Sequence, residues 1–160
     1  RLLIPRDQQG NLPEARARSM QLGKITADGL VERELLVSEA DRIGVAVEVP
    51  NGLVVPVVPD ARDASLHDIG VRVADLAARA RANALTPVDV GGAAATVTNV
   101  GATGTLLAFP LVAPGEAAIL APGAVVDGRC WLALCYDRAR YDEYEADQLL
   151  ARVVARLSAA

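Results

Sequence analysis

The sequence predicts an α+β domain, a mixed sheet with helices packed on it. Three observations carry this: β-rich runs flank Asn51-Gly52, helical periodicity starts at Ser65 and again near Glu143, and three strand-like runs lie between those helices.

In chain order, residues 1 to 24 sustain no period and read as an arm or remnant, with residues 25 to 160 forming the domain. Thr26-Ala27-Asp28-Gly29 is a turn with a strong hairpin signal, followed by a strand from Leu30 to Val37. Arg42 to Val49 alternates in character, and Asn51-Gly52 separates it from the β-rich Leu53 to Val58, so a second hairpin is expected. Ser65 opens a helix with Asp68 three residues on, as in a capping box. Leu66, Ile69, Val73, Leu76, Ala77 and Ala80 fall on its buried face. Thr86-Pro87 reads as a second helix start, stopped at once by Gly91-Gly92. Strands are expected at Ala94 to Val100, Ala117 to Leu120 and Cys130 to Tyr136, with a loop at Gly101 to Gly104 after the first. A closing helix near Glu143 should bury Ala146, Leu149, Leu150, Val153, Val154 and Leu157. The predicted core includes Val45, Val47, Leu66, Ile69, Leu76, Val97, Ile119, Leu132 and Leu150.

Composition narrows the function classes. A chain of 160 residues supports one core without metal or disulfide staples. With 52% apolar but 3% aromatic residues, that core is built from Ala, Val and Leu, leaving little aromatic surface for stacking on bases. Sixteen basic against 20 acidic residues, interspersed, argue against a nucleic-acid partner. No apolar stretch is long enough for a membrane-spanning helix, and no signal-peptide pattern appears. A chain that opens on Arg1 is expected to have lost its true N-terminus. Cys130 and Cys135, five apart in one expected strand, point to opposite faces and do not pair easily; a reduced, cytoplasmic setting is expected. Gly101 to Gly104 lacks a dinucleotide-binding spacing, and neither a bound cofactor nor a metal is expected.

Four segments in order carry a family resemblance: IGVAVEVPNGLVVPVVPDARDASL (43 to 66), LTPVDVGGAAATVTNVG (85 to 101), PLVAPGEAAIL (110 to 120) and CYDRARYDEYEADQLL (135 to 150). Together they resemble the catalytic domain of the dihydrolipoyl acyltransferases of 2-oxoacid dehydrogenase complexes, which shares its fold with chloramphenicol acetyltransferase. The resemblance runs from about Ile25 to the C-terminus. It implies that fold with a truncated N-terminal half, because only 24 residues stand where the family has a longer segment.

Family members carry an acyl group between a lipoyl thiol and coenzyme A. A histidine in D-H-R-x-x-D-G is the general base, and a Ser or Thr in T-[IV]-[ST]-N donates a hydrogen bond to the tetrahedral oxyanion. The two come from neighbouring subunits of a trimer. Carried over, Thr98 matches the oxyanion donor and Asn99 its neighbour; Asp137 and Asp142 match the two Asp. The histidine position is Arg138, the family's arginine is Ala139 and its glycine is Glu143. A guanidinium cannot accept a thiol proton, and losing a positioned base removes ~10²–10⁴ of rate. His67 reads as a surface residue, and Cys135 as a packed, inert thiol. Asp142 is a weak base at best and is expected to pair with Arg138 or Arg140. Thr98 reads equally as a β-strand Thr or a retained polar site residue. Arg79, Arg81, Arg152 and Arg156 read as solvated helix faces.

The resemblance therefore implies a non-catalytic, oligomer-forming subunit or pseudo-acyltransferase, like the family's dihydrolipoyl dehydrogenase-binding proteins. It would be a homotrimer, with other subunits of a 2-oxoacid dehydrogenase-like complex as partners. Two alternatives stand beside this. One is an enzyme reusing the fold, through a substitute base or another reaction on an acyl-bearing small molecule, with Arg138 an anion-binding group. The other is a decayed copy or a segment of a longer chain.

Overall fold

The computed structural model of the protein describes residues 41–159. The Asp28-Gly29 turn, the Leu30 to Val37 strand and the arm at 1 to 24 lie outside the described residues.

The expected hairpin forms with its turn at Pro50-Asn51, Gly52 already pairing with Val49, and in two storeys. Near the turn, β2 (Val47–Val49) pairs antiparallel with β3 (Gly52–Val54) as a separate ribbon. Further back, β1 (Ile43–Val45) pairs antiparallel with β4 (Val57–Val58) inside the main sheet. Ala46 and Val55-Pro56 mark the break: Ala46 N–H leaves the hairpin to donate to Val97 O at 2.9 Å. Two-residue turns of this kind fix register, so the alternating apolar residues land together.

Helix α1 (Leu66–Arg81) starts where Ser65 Oγ accepts from Asp68 N at 3.1 Å. It ends in a Schellman motif: Asn83 takes a left-handed φ of 52°, its N–H donates to Ala80 O, and Ala84 N–H donates to Arg79 O. The helix returns the chain so that β5 (Ala95–Val97) lies parallel to β1. Next come a 3₁₀ turn at Val100–Thr103, β6 (Ala118–Pro122), which is parallel to β5, and β7 (Leu132–Tyr136), antiparallel to β6. The five-stranded order is β4-β1-β5-β6-β7, a mixed sheet. Helix α2 (Glu143–Ala159) closes the described chain.

One face of the sheet carries the core. Ile43, Val45, Val58, Val97 and Leu120 meet Ile69 and Leu76 of α1 and Val153 and Leu157 of α2. In the alternate row, Gly44 pairs with Thr96, and a Cβ on Gly44 would collide with Thr96 Oγ1 and press on Val55. Of the predicted core, Val45, Val47, Ile69, Leu76, Val97 and Ile119 are buried, whereas Leu66, Leu132 and Leu150 are half-buried. Leu66 sits in the first turn of α1.

Three expectations need correction. Thr86-Pro87 starts no helix: the Asp89 carboxylate accepts from Thr86 N and Thr86 Oγ1, both at 2.7 Å, and closes a turn. Gly91 and Gly92 then adopt φ of 94° and 73°, which stops any helical continuation. The strand expected to reach Val100 ends at Val97, because Asn99 Oδ1 accepts from Ala102 N and starts the 3₁₀ turn. Cys130 precedes β7 rather than lying in it; both cysteines are free thiols.

Candidate functional site

Thr98 follows β5 directly, and its N–H donates to Leu120 O at 2.9 Å, so its backbone is held by the sheet. Its half-buried side chain has no hydrogen-bond partner among the described residues. It lines a cleft of about 810 Å³ between the β2–β3 ribbon, α1 and the 3₁₀ turn. Leu53 and Val47 wall it from the ribbon, and Gly70, Ala74 and Ala77 wall it from α1. Two charges line it, Glu48 and Arg81. A hydroxyl on a rigid strand end, facing a cleft of this size, can donate to a bound oxygen.

Arg138 sits in the turn after β7, with an exposed side chain. The turn is built by Asp137: its N–H donates to Ala117 O, its Oδ1 accepts from Ala139 N at 2.9 Å, and its carbonyl accepts from Arg140 and Tyr141 N–H. Arg140 approaches Asp137 Oδ2 at 3.8 Å. Arg138 makes no ion pair with any described residue.

Asp142 does not pair with either arginine, correcting that expectation. It is the N-cap of α2: Glu145 N donates to Asp142 Oδ1 at 2.8 Å, and Asp142 N donates to Glu145 Oε2 at 3.0 Å. This reciprocal box engages the carboxylate with backbone at the start of α2.

Thr98 and Arg138 are not brought together. By register Thr98 continues opposite Ala121 on β6, while Arg138 continues opposite Glu116, at the other end of the strands. At ~3.3 Å per residue the two lie roughly 17 Å apart along the sheet. Between the sheet and α2 lies an apolar gap of about 120 Å³, lined by Leu134, Tyr141, Leu149 and Leu150 among others. His67 is exposed in the first turn of α1, outside the Thr98 cleft. Burial pushes the Cys135 and Cys130 thiols up, away from the reactive thiolate form. Among the described residues no group of three His, Cys, Asp or Glu is placed to hold a metal ion, and no helix is long and apolar enough to cross a membrane.

Sequence reasoning missed the ion pair that ties α1 to the Thr86 turn. Arg79 is not a solvated helix residue: its Nη1 and Nη2 donate to the two Asp89 oxygens at 2.7 and 2.8 Å, and its Nε donates to Asp75 at 2.9 Å. Arg79, then Thr86, holds the Asp89 carboxyl well below the usual carboxylate range. Thr86 and Asp89 carried a local signal in their spacing, but Arg79, a helix away, carried none.

Comparison with known proteins accords with this architecture. Residues 23–154 match the family of 2-oxoacid dehydrogenases acyltransferase (catalytic domain). The dihydrolipoyllysine-residue acetyltransferase component of the Mycobacterium bovis pyruvate dehydrogenase complex is 34% identical over 142 residues, covering 78% of this chain and 26% of that protein. The chain thus spans about a quarter of that relative's length. Among solved structures, a truncated catalytic core of the 2-oxoacid dehydrogenase multienzyme complex from Thermoplasma acidophilum superposes with a TM-score of 0.72 at 28% identity, covering 90% of this chain and 78% of that one. A chain from the cubic core of a pyruvate dehydrogenase multienzyme complex gives 0.65 at 28% identity, covering 76% and 55%. The chain belongs to the family of 2-oxoacid dehydrogenase acyltransferase catalytic domains.

Proposed function

We propose that this domain is an oligomer-forming, non-catalytic member of its family, in which Arg138 stands where the family's general-base histidine belongs. The observation that supports this best is the turn after β7. Its structural parts are in place, Asp137 folding the turn and Asp142 capping α2, while the side chain between them is a guanidinium that cannot accept a proton. No described group offers itself as a substitute: Asp142 is engaged in its cap, and burial raises the Cys135 thiol.

The site would be shared between copies. Thr98 and Arg138 sit at opposite ends of the sheet, and a ring of copies would set one chain's Thr98 against the next chain's turn. The loop between Gly104 and Ala113 exposes Leu106, Leu107, Phe109 and Leu111, the last at 93%, an apolar stretch suited to burial against another copy. A homotrimer, placed beside other subunits of a 2-oxoacid dehydrogenase-like complex, fits both features and the origin of the similar cubic-core chain.

Light scattering of the purified protein should give a trimer mass at micromolar concentration; a stable monomer would contradict the shared site. Arg138→His should restore little acyl transfer from acetyl-coenzyme A to dihydrolipoamide, because Ala139 still lacks the arginine side chain of the family motif. The second reading, an enzyme that reuses the fold, is favoured by one observation: Thr98 keeps an unengaged hydroxyl in a cleft large enough for a small molecule.

A further inference from the structure

We propose that the groove between α1 and the Thr86 turn docks an acidic segment of a partner protein, one that carries an apolar side chain between its carboxylates. Neither Thr98 nor Arg138 lines this groove, so the proposal stands apart from the shared-site reading.

The groove has a volume of about 560 Å³. Helix α1 gives it Val71, Arg72, Asp75 and Arg79, whereas Gly70, Ala74 and Ala77 line the Thr98 cleft. At 3.6 residues per turn these are different sides of the helix.

Three guanidiniums and two carboxylates line the groove: Arg42, Arg72 and Arg79 with Asp75 and Asp89. Arg79 takes both carboxylates. Arg42 donates instead to the carbonyls of Gly92 and Gly91 at 3.0 and 3.1 Å, and Arg72 Nη1 donates to Pro59 O at 2.8 Å. These acceptors are neutral. They hold the two side chains in place and leave their charges uncancelled. Nearby carboxylates are engaged elsewhere: Asp41 pairs with Arg62, and Asp68 accepts from Ser65 Oγ. The groove is thus positive by one charge, on a chain whose net charge is -4.

Its rims are apolar. Val88 is 85% exposed on the turn and Val71 is 56% exposed on α1, while the buried Val57 and Leu76 also line the groove. A single exposed valine says nothing, but one on each wall of the same groove makes an apolar seat. Charge complementarity selects the occupant. Carboxylates meet Arg42 and Arg72, whose forks are already placed by their carbonyl contacts, so little side-chain freedom is lost on binding. A small anion would leave Val71 and Val88 in water, whereas a peptide with an apolar side chain covers both.

Fluorescence polarisation of the intact protein tests this with three labelled peptides: GEDLVEDG, the basic GKKLVKKG, and GEDSSEDG, which lacks the apolar pair. The first should bind saturably by millimolar concentration and more weakly in added salt. The basic peptide should not bind, and GEDSSEDG should bind about tenfold more weakly or worse. Arg42→Gln and Arg72→Gln should each cost about tenfold in affinity, as for loss of one charge-assisted contact. Val88→Asp should abolish binding; its side chain is exposed, and a melting curve checks that each variant keeps its fold. No saturable binding of GEDLVEDG, or affinity unchanged in Arg72→Gln and Val88→Asp, overturns the proposal. Competition by inorganic phosphate as strong as the peptide's own binding also overturns it, since the groove would then be a small-anion site. So does a drop in light-scattering mass in Val88→Asp, which would make the groove a contact between copies of this chain.

Discussion

The two ends of the sheet are built from the same kind of material but put to different use. At the Thr98 end, strand, ribbon and helix enclose a cleft of about 810 Å³, and a hydroxyl faces it unengaged. At the Arg138 end the carboxylates are engaged in shaping the chain: Asp137 folds the turn, and Asp142 and Glu145 cap α2. A motif can therefore keep its aspartates for reasons of folding alone. Their presence around Arg138 is no sign that chemistry survives there, whereas an unengaged Thr98 in a cleft has no structural task to explain it.

Substitutions can separate these roles. The largest effect is expected in the core that both ends share: Ile69→Ala removes a fully buried side chain of α1 and should cost about 2–5 kcal/mol in denaturant unfolding. At the Arg138 end, Asp142→Ala removes the α2 cap and should cost about 1 kcal/mol, while Asp142→Asn, still a good cap, should be nearly neutral. If Asp142→Asn instead abolished a measurable turnover with stability unchanged, the cap would not be its main task.

Acid should act on the junction between α1 and the Thr86 turn through Asp89. Arg79 holds its folded-state pKa below the unfolded value, so the pairing stabilises fully above the ordinary carboxylate range near pH ~4 and is lost as pH falls below it. Melting temperature should drop on that acid limb, and Asp89→Asn should flatten the drop; equal slopes would remove Asp89 from the account. The smallest effect is expected for Arg140→Ala. Its contact with Asp137 is long and both side chains are about half exposed, so unfolding should change by no more than ~0.5 kcal/mol.

Much of this was legible in the sequence because the signals are local. Ser65 with Asp68, the Glu143 helix start and the Asn51-Gly52 hairpin signal each act within four residues; the helix starts form where the pattern places them, and the hairpin turn forms one residue early, at Pro50-Asn51. What the pattern did not reveal depends on which partner a side chain finds, near or far in the chain. Arg79 reads as solvated until Asp89 folds back over it, and the same carboxylate turns the expected Thr86 helix into a turn. Val100 reads as strand until Asn99 starts the 3₁₀ turn. For the site, the sequence singled out Thr98 and Arg138, but their separation is a property of register across three strands.

The central claim is that Arg138 leaves the family's chemistry without a base. Its most direct test is acyl transfer from acetyl-coenzyme A to dihydrolipoamide by the wild-type protein and by Thr98→Ala. The account predicts turnover at background for both. Robust wild-type turnover that Thr98→Ala abolishes would contradict it, since the oxyanion donor would then be working with a base other than the histidine.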